Sequence, residues 1–199
     1  MAITNKQFYD KMKTAVVGIA GLGGLGSNVA IALARTGIGK LILVDFDCVE
    51  KSNLNRQQYL LSQVGKLKTE ALKQNIFEIN PQVEIEITNC KLNEENIPVI
   101  FKNADIIAEC FDKADTKAMI TNVFLNLLAD KGKKLVTASG MAGTGKADEI
   151  KTLIKNNNFA VVGDGKSGIE TETILTASRV GIVALFQANQ IIRWIIGEE

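Results

Sequence analysis

The sequence predicts an α/β fold with a Rossmann-like, mostly parallel sheet, helices on both faces, and an extended C-terminal region ending in a long buried helix. Apolar runs of strand length alternate along the chain with segments of helical periodicity, an order typical of parallel strands joined by helices. A glycine-rich turn follows the first apolar run and opens the next helical segment. With 199 residues and 46% hydrophobic content, we expect one domain spanning residues 1–199.

The overall charge argues against partners that bind through a broad electrostatic field. The chain has 23 lysines and arginines against 22 aspartates and glutamates, a net charge of +1. We therefore expect neither nucleic acid nor a membrane as a partner. The polar N-terminal residues lack the apolar core of a secretory signal, and no run reaches the roughly 18 apolar residues of a membrane span, so we expect a cytoplasmic protein.

The cysteine and histidine content narrows the possible chemistry. Three cysteines, Cys48, Cys90 and Cys110, include no C-x-x-C pair, and the chain contains no histidine. These counts argue against a disulfide framework and a zinc ribbon. Because imidazole is missing as a base and as a nucleophile activator, most hydrolase triads are excluded.

The N-terminal quarter of the chain predicts a nucleotide-binding unit. A short amphipathic helix over residues 4–13 leads into an apolar strand, and Gly21, Gly23 and Gly26 then follow with G-x-G-x-x-G spacing. Such glycines permit a tight turn, close backbone approach to a phosphate, and close packing of the helix on the strand. The second strand, Leu41 to Val44, ends at Asp45, where an acidic side chain would bind ribose hydroxyls.

The middle of the chain continues the alternation of helices and strands. After Asp47 we expect an irregular connection. The predicted elements beyond it are a short helix around Gln57 to Leu61, a helix over 68–80, a strand over 83–87, a short helix over 94–102, a strand over 104–110, a helix over 113–131, and a strand from Lys134 to Ala138.

The last third of the chain shows two contrasting patterns. From Gly140 to Gly168 it is rich in glycine, asparagine and lysine, which favours either a mobile lid or partner-binding loop or a solvated linker. The final helix, about Thr176 to Gly197, is apolar almost all round. We expect it to be buried in the core, with a subunit contact as the alternative.

Polar residues converge at the carboxyl ends of the predicted strands. Gly21, Asp45 and Asp112 all follow strands directly, and ligands of parallel sheets bind at that edge. Arg56 could bind a triphosphate through two N–H groups, and Lys68 at a helix start could add a point charge. Asp112 carries the carboxylate oxygens that Mg2+ prefers.

These residues, in this order, resemble the ThiF/MoeB/HesA family of adenylating enzymes, which are similar to ubiquitin-activating enzymes. The matching text is GLGGLGSNVAIALARTGIGKLILVDFD, SNLNRQ, VGKLK, CFD and the terminal RVGIVALFQANQIIRWIIG. The resemblance implies an ATP site in which Asp45 binds the ribose, the glycine turn binds the α-phosphate end, and Asp112 binds Mg2+. The residues it implies for ATP binding are Gly21, Gly23, Gly24, Gly26, Asp45, Asp47, Asn53, Arg56, Gln57 and Lys68. It assigns catalytic roles to Arg56, Lys68 and Asp112.

The resemblance also implies a reaction and partners. The C-terminal carboxylate of a small ubiquitin-like carrier ending in Gly-Gly would attack the α-phosphorus of ATP, giving a carrier adenylate and pyrophosphate. The chain is most similar to the compact ThiF-like proteins, which implies a ThiS-type sulfur carrier, thiamine thiazole biosynthesis and a homodimer.

Some features depart from the family pattern. Longer members bind a structural zinc through two C-x-x-C pairs, which this chain lacks, so we predict no zinc. No cysteine follows Cys110, so we do not expect a persulfide or thioester step on this subunit. Many members supply an arginine from the partner's N-terminal helix, where this chain has only Lys6, Lys11 and Lys13.

Other functions compete with adenylation. An NAD-dependent oxidoreductase would use the glycine turn and Asp45 but would leave Arg56, Lys68 and Asp112 without a role. A non-catalytic family member could bind a carrier without activating it, and the missing cysteine and arginine motivate that alternative. A related enzyme that adenylates a small molecule or a modified tRNA base is a further alternative.

Overall fold

Seven strands form one sheet in the order β3-β2-β1-β4-β5-β7-β6. The structure, a computed structural model, describes residues 3–168 and 174–198. The strands are β1 (Val16–Ala20), β2 (Lys40–Asp45), β3 (Glu84–Asn89), β4 (Ile106–Glu109), β5 (Lys134–Ala138), β6 (Lys151–Asn156) and β7 (Phe159–Gly163). Every neighbouring pair is parallel except β6 and β7. The predicted α/β fold with a mostly parallel sheet is confirmed.

The helices alternate with the strands as predicted. They are α1 (Asn5–Thr14), α2 (Gly24–Thr36), α3 (Lys68–Ile79), α4 (Ile97–Ile100), α5 (Ala114–Val123) and α6 (Ala177–Ile196). Beyond α5, a π turn at Phe124–Leu128 and a 3₁₀ turn at Ala129–Lys131 complete the helix predicted over 113–131. The helix predicted around Gln57 to Leu61 is wrong, because Leu60 is extended and a 3₁₀ turn begins only at Leu61–Gln63.

The segment from Gly140 to Gly168 differs most from its prediction. We predicted a lid, loop or linker there, but β6 and β7 form a hairpin whose second strand pairs in parallel with β5. The hairpin was missed because β6, with the sequence KTLIKN, is an exposed edge strand without alternation. Its partner β7 is a short apolar run surrounded by turn residues.

Two apolar clusters cover the two faces of the sheet. One packs α2, α3 and α6 against the sheet through residues such as Leu33, Leu72 and Ile191. The other packs α4 and α5 through Phe101 and Ile120, among others. The helices therefore lie on both faces, which leaves the carboxyl edge of the parallel strands accessible.

The C-terminal helix α6 packs along the core, as predicted, but is not buried all round. Val183, Ala184 and Ile191 are fully buried, whereas Leu185 and Phe186 are 56% and 39% exposed. Lys11 of α1 donates from Nζ to the carbonyl oxygen of Ile196 at 2.5 Å, which caps the C-terminal end of α6. Across the described parts of the chain, no helix has the length and apolar character needed to cross a membrane.

A buried ion pair between Arg179 and Asp164 fixes the start of α6 to the end of the hairpin. Their side chains are only 4% and 3% exposed. Arg179 also donates to the carbonyl oxygens of Ala142 at 3.0 Å and Gly145 at 2.6 Å. Burial by itself would raise the pKa of Asp164, but hydrogen bonds from Ser167, Lys166 and Arg179 lower it to about 2. Both charges are thus compensated inside the fold.

Replacing Arg179 with methionine is expected to destabilise the fold strongly. The change would leave the Asp164 carboxylate buried beside an uncharged side chain, at a cost of about 3–5 kcal/mol in the free energy of unfolding. Arg193→Met is the matched control, because Arg193 pairs with Glu198 where the side chains are 39% and 52% exposed, and should cost less than about 1 kcal/mol. Urea unfolding at pH 7 measures both, and equal losses would contradict the prediction.

Acid should weaken the same contact. The folded pKa of Asp164, about 2, lies below its ordinary value of 3.8. Ionised Asp164 therefore stabilises the fold fully above its ordinary pKa, and this contribution is lost as the pH falls through the folded pKa. Between these two values wild type should lose more free energy of unfolding than Asp164→Asn, which has no carboxyl to protonate. An identical decline in both proteins would count against this linkage.

Candidate functional site

The glycine turn joins the end of β1 to the start of α2. Gly21 has a φ of +91°, which favours glycine. A Cβ at Gly26 would lie 1.9 Å from the carbonyl oxygen of Gly21, so only glycine permits this approach of helix to turn. The N-cap residue Gly23 has no side chain to bond the first N–H groups of α2. Those groups, with the positive end of the helix dipole, are suited to an anion.

Asp45 connects the end of β2 to this turn. Its carboxylate, in a residue only 7% exposed, accepts from the backbone N–H of Leu22 at 2.6 Å and from that of Asp47 at 2.8 Å. Tyr59 donates from its hydroxyl to the carbonyl oxygen of Leu22 at 2.7 Å. Burial, then the charges of Asp45 and Asp47, raise the pKa of Tyr59, so this hydroxyl stays protonated.

Lys68 and Asp47 form an ion pair at the same edge of the sheet. The Lys68 Nζ lies 2.8 Å from the Asp47 Oδ2, and their side chains are 7% and 50% exposed. The backbone N–H of Lys68 also donates to the carbonyl oxygen of Asp47 at 2.9 Å. Lys68, the first residue of α3, is therefore a mostly buried cation with a fixed position rather than a solvated surface lysine.

The irregular segment after β2 lies against the glycine turn. The Arg56 stem packs beside Gly24, its Cγ 3.6 Å from where a Cβ of Gly24 would be. Its guanidinium donates to Asn55 Oδ1 at 2.8 Å. The carbonyl oxygen of Asn53 accepts from the N–H groups of Arg56 and Gln57 at 3.2 and 3.1 Å. Asn53 thus shapes the turn that presents Arg56.

Gln57 lies under the same turn with an unpaired atom. Its Nε2 is 3.7 Å from the position of a Cβ on Gly23. Its Oε1 is buried and has no hydrogen-bond partner within the described chain. Buried amide oxygens are normally paired, so a ligand or a water that donates a hydrogen bond would satisfy this atom.

Asp112 follows β4 and is exposed, with no hydrogen-bonded partner among the residues described. Its strand end is close to the glycine turn, because a Cβ on Gly21 would lie 3.0 Å from the carbonyl oxygen of Cys110. In the described ranges no group of three or more His, Cys, Asp or Glu side chains could hold a metal ion. One carboxylate suits a Mg2+ ion whose other ligands are phosphate oxygens and water.

Two charged residues beside this edge were not singled out from the sequence. Glu109, at the end of β4, is fully buried and pairs with Lys117 of α5 at 2.9 Å. Burial raises the pKa of Glu109, although Lys117 and backbone N–H groups oppose that shift. The sequence signal that could have indicated this pair is a glutamate at the end of an apolar run followed by a lysine in the next helix.

The cysteines differ in burial, and the N-terminal lysines differ in whether they contact the rest of the chain. Cys110 is buried, and burial raises the pKa of its thiol well above the ordinary value, whereas Cys48 is exposed. Lys11 is occupied by its contact with Ile196 of the same chain, whereas Lys6 and Lys13 are exposed.

Comparison with known proteins gives relatives of similar sequence. A relative from Candida glabrata, "Adenylyltransferase and sulfurtransferase UBA4", is 38% identical over 150 residues, covering 75% of this chain and 33% of the relative. The matched part of this chain therefore spans about a third of that relative's length.

Solved structures share the fold. The E. coli tRNA N6-threonylcarbamoyladenosine dehydratase TcdA, solved in complex with ATP, superposes with a TM-score of 0.83 at 20% identity, covering 96% of this chain and 89% of that one. E. coli MccB, solved with succinimide, superposes with a TM-score of 0.75 at 25% identity, covering 97% and 60%.

The sequence profile described as "ThiF family" matches residues 1–199. The glycine turn, the acidic end of β2 and the cations beside them are the features on which the sequence resemblance depended. The chain belongs to the ThiF family.

Proposed function

We propose that this protein is a single-domain adenylyltransferase that uses ATP to activate the C-terminal carboxylate of a small ubiquitin-like carrier ending in Gly-Gly. The observation that carries the proposal is that two cationic side chains, Arg56 and Lys68, lie beside one turn suited to an anion. Arg56 packs directly on the turn, and Lys68 is connected to it through Asp47 and Asp45. A dinucleotide cofactor needs no such pair, whereas a triphosphate carries charge for both.

Each site residue has a proposed role toward Mg-ATP. The first N–H groups of α2 and the glycines Gly21, Gly23, Gly24 and Gly26 would receive the α-phosphate end. Asp45 would bind the ribose, and Asn53, Arg56, Gln57 and Lys68 would bind the phosphates. Asp47 would orient Lys68, and Asp112 would hold Mg2+ together with phosphate oxygens. The E. coli TcdA structure of the same fold was solved in complex with ATP, which supports ATP as the proposed ligand.

The proposed reaction needs no covalent enzyme nucleophile. A carboxylate oxygen of the carrier forms a bond to the α-phosphorus, the bond from that phosphorus to the oxygen bridging the β-phosphorus breaks, and pyrophosphate leaves. Fixing the two reactants side by side removes much of the entropic barrier. Arg56 and Lys68 would stabilise the negative charge that spreads over the phosphate oxygens.

The carrier is proposed to be of the ThiS type, acting in thiamine thiazole biosynthesis. The support is the resemblance of this compact chain to ThiF-like proteins; the name of the UBA4 relative, an adenylyltransferase and sulfurtransferase, supports nucleotidyl transfer in general. Cytoplasmic location stays a prediction from the sequence.

Pyrophosphate exchange tests the activity. Wild type with a Gly-Gly-ended carrier should exchange labelled pyrophosphate into ATP, and Arg56→Ala or Lys68→Ala should lower the rate at least about 100-fold, because each removes a cation from the transition state. Lys73→Ala, an exposed lysine of the same helix as Lys68, is the control and should exchange normally. Absence of exchange in wild type, or its survival in both variants, would refute the proposal.

A substitution at Gln57 separates the effect on ATP binding from the effect on stability, because its Oε1 has no hydrogen-bond partner in the described chain. Gln57→Leu loses no hydrogen bond at Oε1 in the nucleotide-free protein, so the free energy of unfolding should change by less than about 1 kcal/mol. Its affinity for ATP should fall about tenfold, the value of the one hydrogen bond that the Gln57 Nε2 would donate to a phosphate oxygen. Calorimetric titration with ATP measures this, with exposed Gln82→Leu as control. Unchanged ATP affinity would remove Gln57 from the site, and preference for NAD over ATP would favour the oxidoreductase.

We also propose that the protein acts as a homodimer. Support comes from one side of α6, where Leu185 and Phe186 are exposed and Ile182 and Ile192 are partly exposed. Their spacing forms an apolar stripe along a helix, of the kind that a symmetric contact between two copies buries.

Charge on that stripe should separate the subunits. Wild type is expected to sediment at twice the mass of the chain, whereas Leu185→Arg should sediment as a monomer because a guanidinium would be buried without a partner. Leu125→Arg, an exposed leucine beyond α5, is the matched control. Analytical ultracentrifugation distinguishes these outcomes. A dimeric Leu185→Arg variant would exclude this side of α6, and a monomeric wild type would exclude the homodimer.

A further inference from the structure

We propose that Glu109 and Lys117 form a clasp that positions Asp112 for its role in the nucleotide site. The inference rests on the proposed function, since it assigns a supporting pair to the proposed metal-binding carboxylate. Neither residue is expected to touch ATP. They are positioning residues, which act through the short turn between β4 and α5.

The turn is held from both ends by one carboxylate. Four residues, Cys110 to Lys113, separate Glu109 at the end of β4 from the first residue of α5. The Oε1 of Glu109 accepts from the backbone N–H of Phe111 at 2.7 Å. Lys117, in the first turn of α5, donates from Nζ to Oε1 at 2.9 Å and to Oε2 at 3.1 Å. The clasp thus fixes the residue before Asp112 and the helix that follows it.

The same carboxylate connects the turn to the rest of the site edge. Its Oε2 accepts from the backbone N–H of Ala138 at 3.4 Å, at the end of the next strand. The carbonyl oxygen of Glu109 accepts from Gln187 Nε2 of α6 at 3.0 Å. Because Glu109 has no exposed surface and Lys117 retains 21%, the pair is inside the protein while Asp112 remains exposed above it. An exposed carboxylate gains a defined position from a buried support of this kind.

A purely structural role makes a different prediction from a positioning role. A buried ion pair that only stabilises the fold would, when lost, weaken the binding of every ligand of the site to a similar extent. A clasp that acts through Asp112 should affect only the contribution that Mg2+ makes to nucleotide binding. Outer-shell partners of metal ligands typically change metal affinity about 10–100-fold when removed. The ratio of ATP affinity with and without Mg2+ therefore separates the two roles.

The experiment measures the dissociation constant of ATP by calorimetry, in Mg2+ and in EDTA, for five variants of the full chain. Lys117→Met removes the clasp, Lys117→Arg keeps its charge, and Asp112→Asn removes the proposed metal ligand. The double variant Lys117→Met/Asp112→Asn tests whether the two act through one another. Lys40→Met is the matched control, because Lys40, the first residue of β2, is 22% exposed and pairs with Glu84 and Glu86 of β3. It lies at the amino ends of the strands, away from the proposed site.

Lys117→Met is expected to weaken ATP binding about tenfold or more in Mg2+ and to change binding in EDTA by less than about twofold. Lys117→Arg and Lys40→Met should bind like wild type, and the double variant should bind no more weakly than Asp112→Asn. Equal weakening in Mg2+ and EDTA, or additive losses in the double variant, would overturn the clasp. If Lys117→Met does not fold, Glu109→Gln/Lys117→Met, which leaves no buried charge, is measured against the same expectations.

ATP binding needs no carrier, so this test is independent of adenylation. Wild type that binds Mg-ATP with the expected variant pattern but shows no pyrophosphate exchange would support the clasp and refute the proposed function. Pyrophosphate exchange by wild type, with no effect of Mg2+ or of Asp112→Asn on ATP affinity, would refute the clasp and leave adenylation supported.

Discussion

The hydrogen bonds that Asp45 accepts are the constraint on which the edge proposed to bind nucleotide depends. One carboxylate binds the N–H of Leu22 in the glycine turn and the N–H of Asp47 beyond β2. Asp47 also pairs with Lys68, the first residue of α3. The Asp45 carboxylate therefore fixes the glycine turn, the irregular segment and α3 relative to one another. Removing any member of this chain of contacts would shift the groups that follow it, so the proposed site is held in place by hydrogen bonds and one ion pair.

In the described part of the chain, buried charges are compensated either by an ion pair or, for Asp45, by backbone N–H groups. Glu109 with Lys117, and Asp164 with Arg179, are buried on the two sides of β5. Each pair connects helix to sheet near the carboxyl edge of the strands. By contrast, Arg56 and Asp112 have charged ends with few protein partners. The two buried pairs stabilise the fold, whereas Arg56 and Asp112, which are proposed to meet substrate, are less constrained.

The sequence predicted the parallel core because local pattern and tertiary environment agree there. The strand at Lys134–Ala138 and the start of α3 at Lys68 match their predictions, since buried strands are apolar throughout and α3 has an amphipathic face. The hairpin of β6 and β7 could not be predicted from the sequence, because the edge strand β6 is exposed to solvent and lacks an apolar pattern. The pairing of β7 with β5 joins segments distant in sequence, which local pattern does not report. For the same reason the sequence could not predict which charged residues form ion pairs. Lys68 and Asp47 were each predicted as site residues but not as partners, and the pair of Glu109 with Lys117 was not predicted at all.

The contact between Lys11 and the end of α6 has a consequence for any chain that continues beyond the helix. The end of α1 lies where β1 begins, so a cap from Lys11 fixes the last turn of α6 at the amino edge of the sheet. Any polypeptide joined after Gly197 would depart on the side away from the glycine turn. Chain that continues from this end of α6 would therefore leave the edge proposed to bind nucleotide accessible.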